Sequence, residues 1–169
     1  MIQCLQDVAS RAAMARDNVV LTLTDEPSRE AERIIDGGLA EYNAQRAGYL
    51  DARPLAVLIT DRTNGIVVGG LLGRTTLGLL FVDLMFVPDS LRGRNLGSRI
   101  LDTAEQEAIR RGCSAVALFT IIFQAPEFYG KRGYQEVGRI ECDPPGHTRI
   151  CMTKRLTGST NSTLEPAVR

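Results

Sequence analysis

The segment Val87-Pro-Asp-Ser-Leu-Arg-Gly-Arg-Asn-Leu-Gly-Ser98 holds the residues best suited to chemistry. It follows a strongly apolar run and precedes an amphipathic one, so it reads as the loop between a central strand and a helix. Backbone N–H groups at a helix start are unpaired and carry partial positive charge. Gly93 and Gly97 let the main chain approach a ligand closely, and Arg92 and Arg94 add charge. Such a cradle suits a pyrophosphate. The plainer alternative is a solvated basic loop that caps a helix. A second candidate is Asp83, a carboxylate inside the apolar run L-L-F-V-D-L-M-F-V. Charges are seldom buried without a partner or a task. Strand alternation puts Asp83 on one sheet face with Phe81 and Met85. An ion pair with an arginine is its plainer role. Cys4, Cys113, Cys142 and Cys151 form no C-x-x-C pair, and His147 is the only histidine, so no metal site is expected.

The elements that must position these residues follow from periodicity and breakers. Asn18 to Thr24 is rich in β-branched residues and predicts a strand. Ser28 is a candidate N-cap. From Arg29 to about Gly48 the pattern is helical, with Gly37-Gly38 predicting a break into two pieces. Strands are expected at 54–60 and 66–75, joined by the turn D-R-T-N-G, in which Asn64-Gly65 suits positive φ. Residues 78–87 read as a central strand covered on both faces. A helix over 96–111 follows, with Leu96, Ile100, Leu101, Ala104 and Ala108 on its apolar face and Gly112 closing it. A strand at 114–121, a short helix at 125–132 and two strands at 134–141 and 148–156 complete the pattern. The fold class is α/β: a mixed central sheet in which an antiparallel meander leads into a parallel β-α-β crossover.

The chain has 169 residues, which predicts one domain, and its 20 basic and 20 acidic residues cancel. A neutral chain gives no reason to expect nucleic acid or an anionic membrane as partner. The apolar stretch around Asp83 is far too short to span a bilayer. Scattered cysteines behind an N-terminus that does not read as a signal peptide predict a cytoplasmic protein with reduced thiols.

Two segments carry a family resemblance. Arg92-Gly93-Arg94-Asn95-Leu96-Gly97 resembles the acetyl-CoA signature R/Q-x-x-G-x-G/A of the GNAT acetyltransferase superfamily, with Asn95 at the first motif glycine; Asn tolerates positive φ better than most residues. Ala125-Pro-Glu-Phe-Tyr129-Gly-Lys-Arg-Gly133-Tyr134 resembles the family segment A-x-x-F-Y-x-x-x-G-F/Y, and Ile122 stands where the family often has asparagine. The strand order matches as well. The resemblance covers residues 18–156, leaving 1–17 as an extension and 157–169 as a tail.

The resemblance implies a GNAT-like sheet with splayed central strands, 78–87 and 114–121, and acetyl-CoA as co-substrate between them. It implies that main-chain groups near Phe86 and Val87 pair with the pantetheine arm, and that Arg92, Gly93, Arg94, Asn95, Leu96, Gly97 and Ser98 hold the pyrophosphate. Tyr129 is then the acid that protonates the departing thiolate; otherwise it is a partly buried aromatic. The acceptor amine must lose a proton, and Asp83 is the leading candidate for the base, with Glu127 next. Glu105 and Glu107 read as solvated or paired, Arg110-Arg111 as complements to the helix dipole, and His147 as a loop residue within reach of an acceptor. The implied activity is transfer of acetyl to an amine, first of a small molecule and second of a protein lysine or N-terminus. The expected assembly is a homodimer. Asn95 and Ile122 keep open a non-catalytic acyl-CoA-binding module, and the fold alone leaves open an interaction domain.

Overall fold

The computed structural model describes residues 19–156. The expectations for 1–17 and for the tail from 157 lie outside them. By their contacts the residues group into two units, Met1–Leu39 and Ala40–Arg169. The helix Arg29–Ala47 (α1) runs across that boundary.

In the first unit, Val19 to Thr24 is not a strand. A β-branched run becomes a strand only when a neighbour takes up its hydrogen bonds, and the sheet's ladders do not include it. Ser28 does cap α1: its Oγ accepts from the Ala31 amide at 3.2 Å. The predicted break at Gly37-Gly38 is absent, and α1 is continuous. Each glycine costs about 1 kcal/mol relative to alanine in a helix, which weakens the element without ending it.

The second unit is built on a six-stranded sheet in the order β1-β2-β3-β4-β6-β5. The strands are Arg53–Thr60 (β1), Val67–Thr76 (β2), Leu79–Phe86 (β3), Ala115–Ile121 (β4), Gln135–Cys142 (β5) and His147–Arg155 (β6). The helices are Leu96–Arg110 (α2) and Pro126–Lys131 (α3). All neighbours are antiparallel except β3 and β4, which α2 connects in parallel. The turn between β1 and β2 forms as expected, although only Gly65 of its Asn-Gly pair has positive φ. Leu77 and Gly78, both at positive φ, turn β2 into β3. The Asp51 carboxylate holds this turn through the Leu77 amide at 2.8 Å.

The core lies between α2 and one sheet face. Ile100, Leu101, Ala104 and Ala108 of α2 pack with Leu80, Val82, Val116, Leu118, Ile150 and Met152. Arg111 at the end of α2 does more than complement the dipole. Its guanidinium donates to the Pro54 carbonyl at 3.0 Å and to Thr75 Oγ1 at 3.2 Å, tying the helix to β1 and β2.

Candidate active site

The cleft begins where β3 changes direction. Gly73 of β2 pairs with Val82, but Leu72 pairs with Leu84, so Asp83 is an extra residue in β3. This β-bulge reverses the alternation. Leu80 and Val82 enter the core before it, and Met85 and Val87 pack there after it. The expectation that Phe81, Asp83 and Met85 share one face is therefore corrected: Phe81 and Met85 lie on opposite faces. Gly73 permits the bulge, since a Cβ there would come 2.3 Å from the Phe81 carbonyl oxygen.

The parallel ladder between β3 and β4 stops at the same place. It joins Leu79–Val82 to Ala115–Leu118 and goes no further. Beyond it the strands diverge around a cleft of about 1060 Å³, lined by Asp83 to Val87, Phe119 to Ile121, the loop after β3 and the start of α3. Phe86 turns its side chain outward, 59% exposed.

At one end of the cleft lies the loop singled out by sequence. A 3-10 turn at Asp89–Leu91 leads into Gly93 at φ 75° and Asn95 at φ 58°, ψ 16°. Asn95 thus occupies the left-handed region that its type predicted. Among the described residues, no backbone or side-chain group accepts a hydrogen bond from the amides of 93–98. The arginines are not alike. Arg92 is fastened to the loop, with its guanidinium on Asp89 at 2.8 Å and on the Val87 carbonyl at 3.2 Å. Arg94 has no ion-pair partner among the described residues. Gly97 has a packing reason to be glycine: a Cβ would meet Phe128 at 3.3 Å and the Met85 methyl at 3.4 Å.

Tyr129 stands across the cleft on α3. Its ring meets Phe128 and Tyr134 edge-on at 5.2 and 5.6 Å, and its hydroxyl donates to Met85 Sδ at 3.8 Å. Burial pushes its pKa above the ordinary 10, so the phenol keeps its proton at neutral pH. Behind it, Glu105 is buried and accepts from Tyr134 at 2.9 Å and from Lys154 at 2.6 Å.

Among the described residues, Asp83 is the sole carboxylate lining the cleft. It is not deeply buried: its side chain is 43% exposed and ion-paired with Arg74, whose guanidinium also lies 5.1 Å from the Phe81 ring centroid. Glu127 is exposed and does not line the cleft. His147 opens β6 with its ring against Phe123 at 5.2 Å and Nδ1 2.8 Å from the Pro144 carbonyl. Gln124 and Arg149 are among the lining residues that the sequence alone does not single out. Gln124 Oε1 accepts from the Ile121 amide at 2.9 Å and so finishes β4. Arg149 comes from β6, where nothing distinguishes it from the other arginines.

The sequence profile of the Acetyltransferase (GNAT) family matches residues 21–134. The chain belongs to that family. An acetyltransferase of Agrobacterium fabrum is 35% identical over 134 residues, 79% of this chain and 97% of its own length. The blasticidin-S acetyltransferase of Streptomyces morookaense is 38% identical over 66% of this chain and 85% of its own. A crystal structure described as an acetyltransferase from Agrobacterium tumefaciens superposes with a TM-score of 0.73 at 34% identity, covering 81% of this chain and 99% of that one. The protein is an acetyltransferase, and acetyl-CoA is its co-substrate. No described helix is long and apolar enough to cross a membrane.

The GNAT cleft fits that co-substrate in two independent ways. Unpartnered amides at 93–98 offer donors to a pyrophosphate. From Asp83 onward, the edge of β3 that faces β4 has no strand beside it, leaving main-chain groups for an extended ligand.

Proposed function

We propose that the protein transfers acetyl from acetyl-CoA directly to the amine of a small molecule, and does so in the cytoplasm. The observation that carries this reading is the presence, in one cleft, of the unpartnered amides of 93–98 and the protonated phenol of Tyr129. The amides bind the pyrophosphate. Main-chain groups at Phe86 and Val87 orient the pantetheine arm and the thioester carbonyl. Tyr129 delivers its proton to the thiolate, whose ordinary pKa is about 8.5.

The acceptor enters as an ammonium. An alkyl amine of pKa about 10.4 is neutral in about one molecule in 10³ at pH 7, a deficit near 4.6 kcal/mol. Asp83 takes up that proton, directly or through water. Arg74 holds one of its oxygens and fixes the carboxylate at the bulge.

Relatives named for blasticidin-S and for IAA acetylation favour a small acceptor. The described cysteines, Cys113, Cys142 and Cys151, are free thiols, as a reducing compartment favours. The test pairs calorimetric titration of acetyl-CoA with thiol release across a panel of amines. Saturable binding with amine-dependent thiol release is expected. Binding without release to any amine would leave an acyl-CoA-binding module in its place.

A further inference from the structure

Among the described residues, three charged side chains line the cleft: Asp83, Arg92 and Arg149. Asp83 is neutralised by Arg74 and Arg92 by Asp89. Arg149 has no carboxylate partner among the described residues. Of the described side chains that line the cleft, Arg149 therefore carries the one uncompensated charge, and it lies away from the phosphate loop with its unpaired Arg94.

Strand register fixes where. Arg149 pairs with Ile121 of β4, and along β6 it alternates with Ile150 and Met152, which are buried beneath α2. Arg149 thus projects from the sheet face opposite the one that carries α2 and its N-terminal loop. Along the strands, the β3–β4 register carried past the bulge sets Phe86 level with Ile121. Arg149 is then one strand spacing, about 4.8 Å, beyond β4 at the height of Met85 and Phe86. Tyr129 places its hydroxyl at that height, on Met85. Leu84, Phe86, Phe119 and Phe123 are among the residues that line the same cleft, so apolar side chains surround much of it.

We propose that Arg149 selects the acceptor, and that the acceptor amine carries an anionic group, a carboxylate or a phosphate, on a short spacer. A guanidinium among apolar side chains is stabilised most by a planar or multidentate oxyanion. Here that counter-ion arrives with the substrate. The inference rests on the acetyltransfer reading of the cleft. It adds the substrate class.

The test uses matched pairs of amines with the full-length protein. L-phenylalanine and L-methionine are compared with their amides, and O-phosphoethanolamine with ethanolamine. Wild type is expected to favour the anionic member of at least one pair by tenfold or more in kcat/KM, and the favoured pair tells carboxylate from phosphate. Arg149→Gln should raise KM for that anion by about tenfold to a hundredfold, with kcat and acetyl-CoA affinity unchanged. Arg149→Lys should recover part of the loss, and Arg149→Glu should reverse the preference. Equal use of both members by wild type overturns the role of Arg149 and leaves acetyltransfer standing. A weakened acetyl-CoA complex in Arg149→Gln gives the guanidinium to the co-substrate and also overturns it. Transfer to no amine, with acetyl-CoA still bound, overturns both readings.

Discussion

Replacing Tyr129 by Phe removes one oxygen and almost nothing else. The ring keeps its edge contacts with Phe128 and Tyr134 at 5.2 and 5.6 Å. The hydroxyl's partner is a thioether sulfur at 3.8 Å, a weak acceptor whose loss leaves no buried polar group unsatisfied. Unfolding free energy should therefore change by less than about 1 kcal/mol. Catalysis should change far more. Removing a positioned general acid costs about 10²–10⁴ in rate, or about 2.7–5.4 kcal/mol of transition-state stabilisation. The assay is single-turnover thiol release with saturating amine, alongside calorimetric titration of acetyl-CoA. Affinity should hold while kcat falls. The pH profile gives a second readout. Burial raises the phenol above 10, so the acid is present below that value and is lost only as pH climbs through the raised one. Wild type should thus keep its rate past pH 10, and any alkaline decline assigned to this group should vanish in Tyr129→Phe. Equal single-turnover rates in the two proteins would refute the role. So would a large loss of acetyl-CoA binding, which would make Tyr129 a binding residue.

Asn95→Gly should keep or raise acetyl-CoA affinity, because φ 58° suits glycine at least as well; calorimetry showing a tenfold loss would give the asparagine side chain a role of its own. Glu105→Ala leaves Lys154 and Tyr134 without their shared buried acceptor and should lower unfolding free energy by about 3–5 kcal/mol in urea titrations. Arg110 and then Arg111 hold the Glu107 carboxyl down to about 2, against an ordinary 4.5. Its contribution is full above pH 4.5 and is lost as pH falls toward 2. Glu107→Gln should therefore be less stable than wild type at pH 7 and equal to it near pH 2, by thermal unfolding at low salt; a constant gap would show that another group governs the acid limb.

Much of the fold is written in local signals. The six paired strands, α2 and α3 lie within a residue or two of where alternation, helical spacing and glycine stops place them. Ser28 and Gly112 end helices as their types predict. Reading failed where a non-local partner decides. Val19 to Thr24 has strand composition, but composition supplies no neighbouring strand. Gly37-Gly38 has breaker composition, but two glycines cost less than the rest of a long helix supplies. At the site, Asn95 was legible because backbone conformation is a property of its own type. Arg149 was not, because its meaning comes from Ile121, a residue far away in sequence. The bulge was half legible: a Gly73 inside an apolar strand is a signal for one, but nothing in the sequence of β3 says which residue is extra.

That extra residue links the fold to the chemistry. Without it, β3 would keep one alternation from Leu79 to Phe86, and Leu84 and Phe86 would follow Leu80 and Val82 into the core. With it, Met85 turns inward to meet Tyr129 and Gly97, and Leu84 and Phe86 turn outward to the opposite mouth of the cleft. The same step ends the β3–β4 ladder and frees the edge that a pantetheine arm would need. It also brings Asp83 to Arg74, so that the carboxylate is held at the point where the strands part. The bulge thus gives the cleft two chemically different mouths. One faces α2 and has amide donors for phosphate. The other is apolar around Arg149. Direct transfer requires donor and acceptor to meet at one carbonyl carbon from different sides, and a strand that changes its inward-facing set at one residue supplies both sides from a single element.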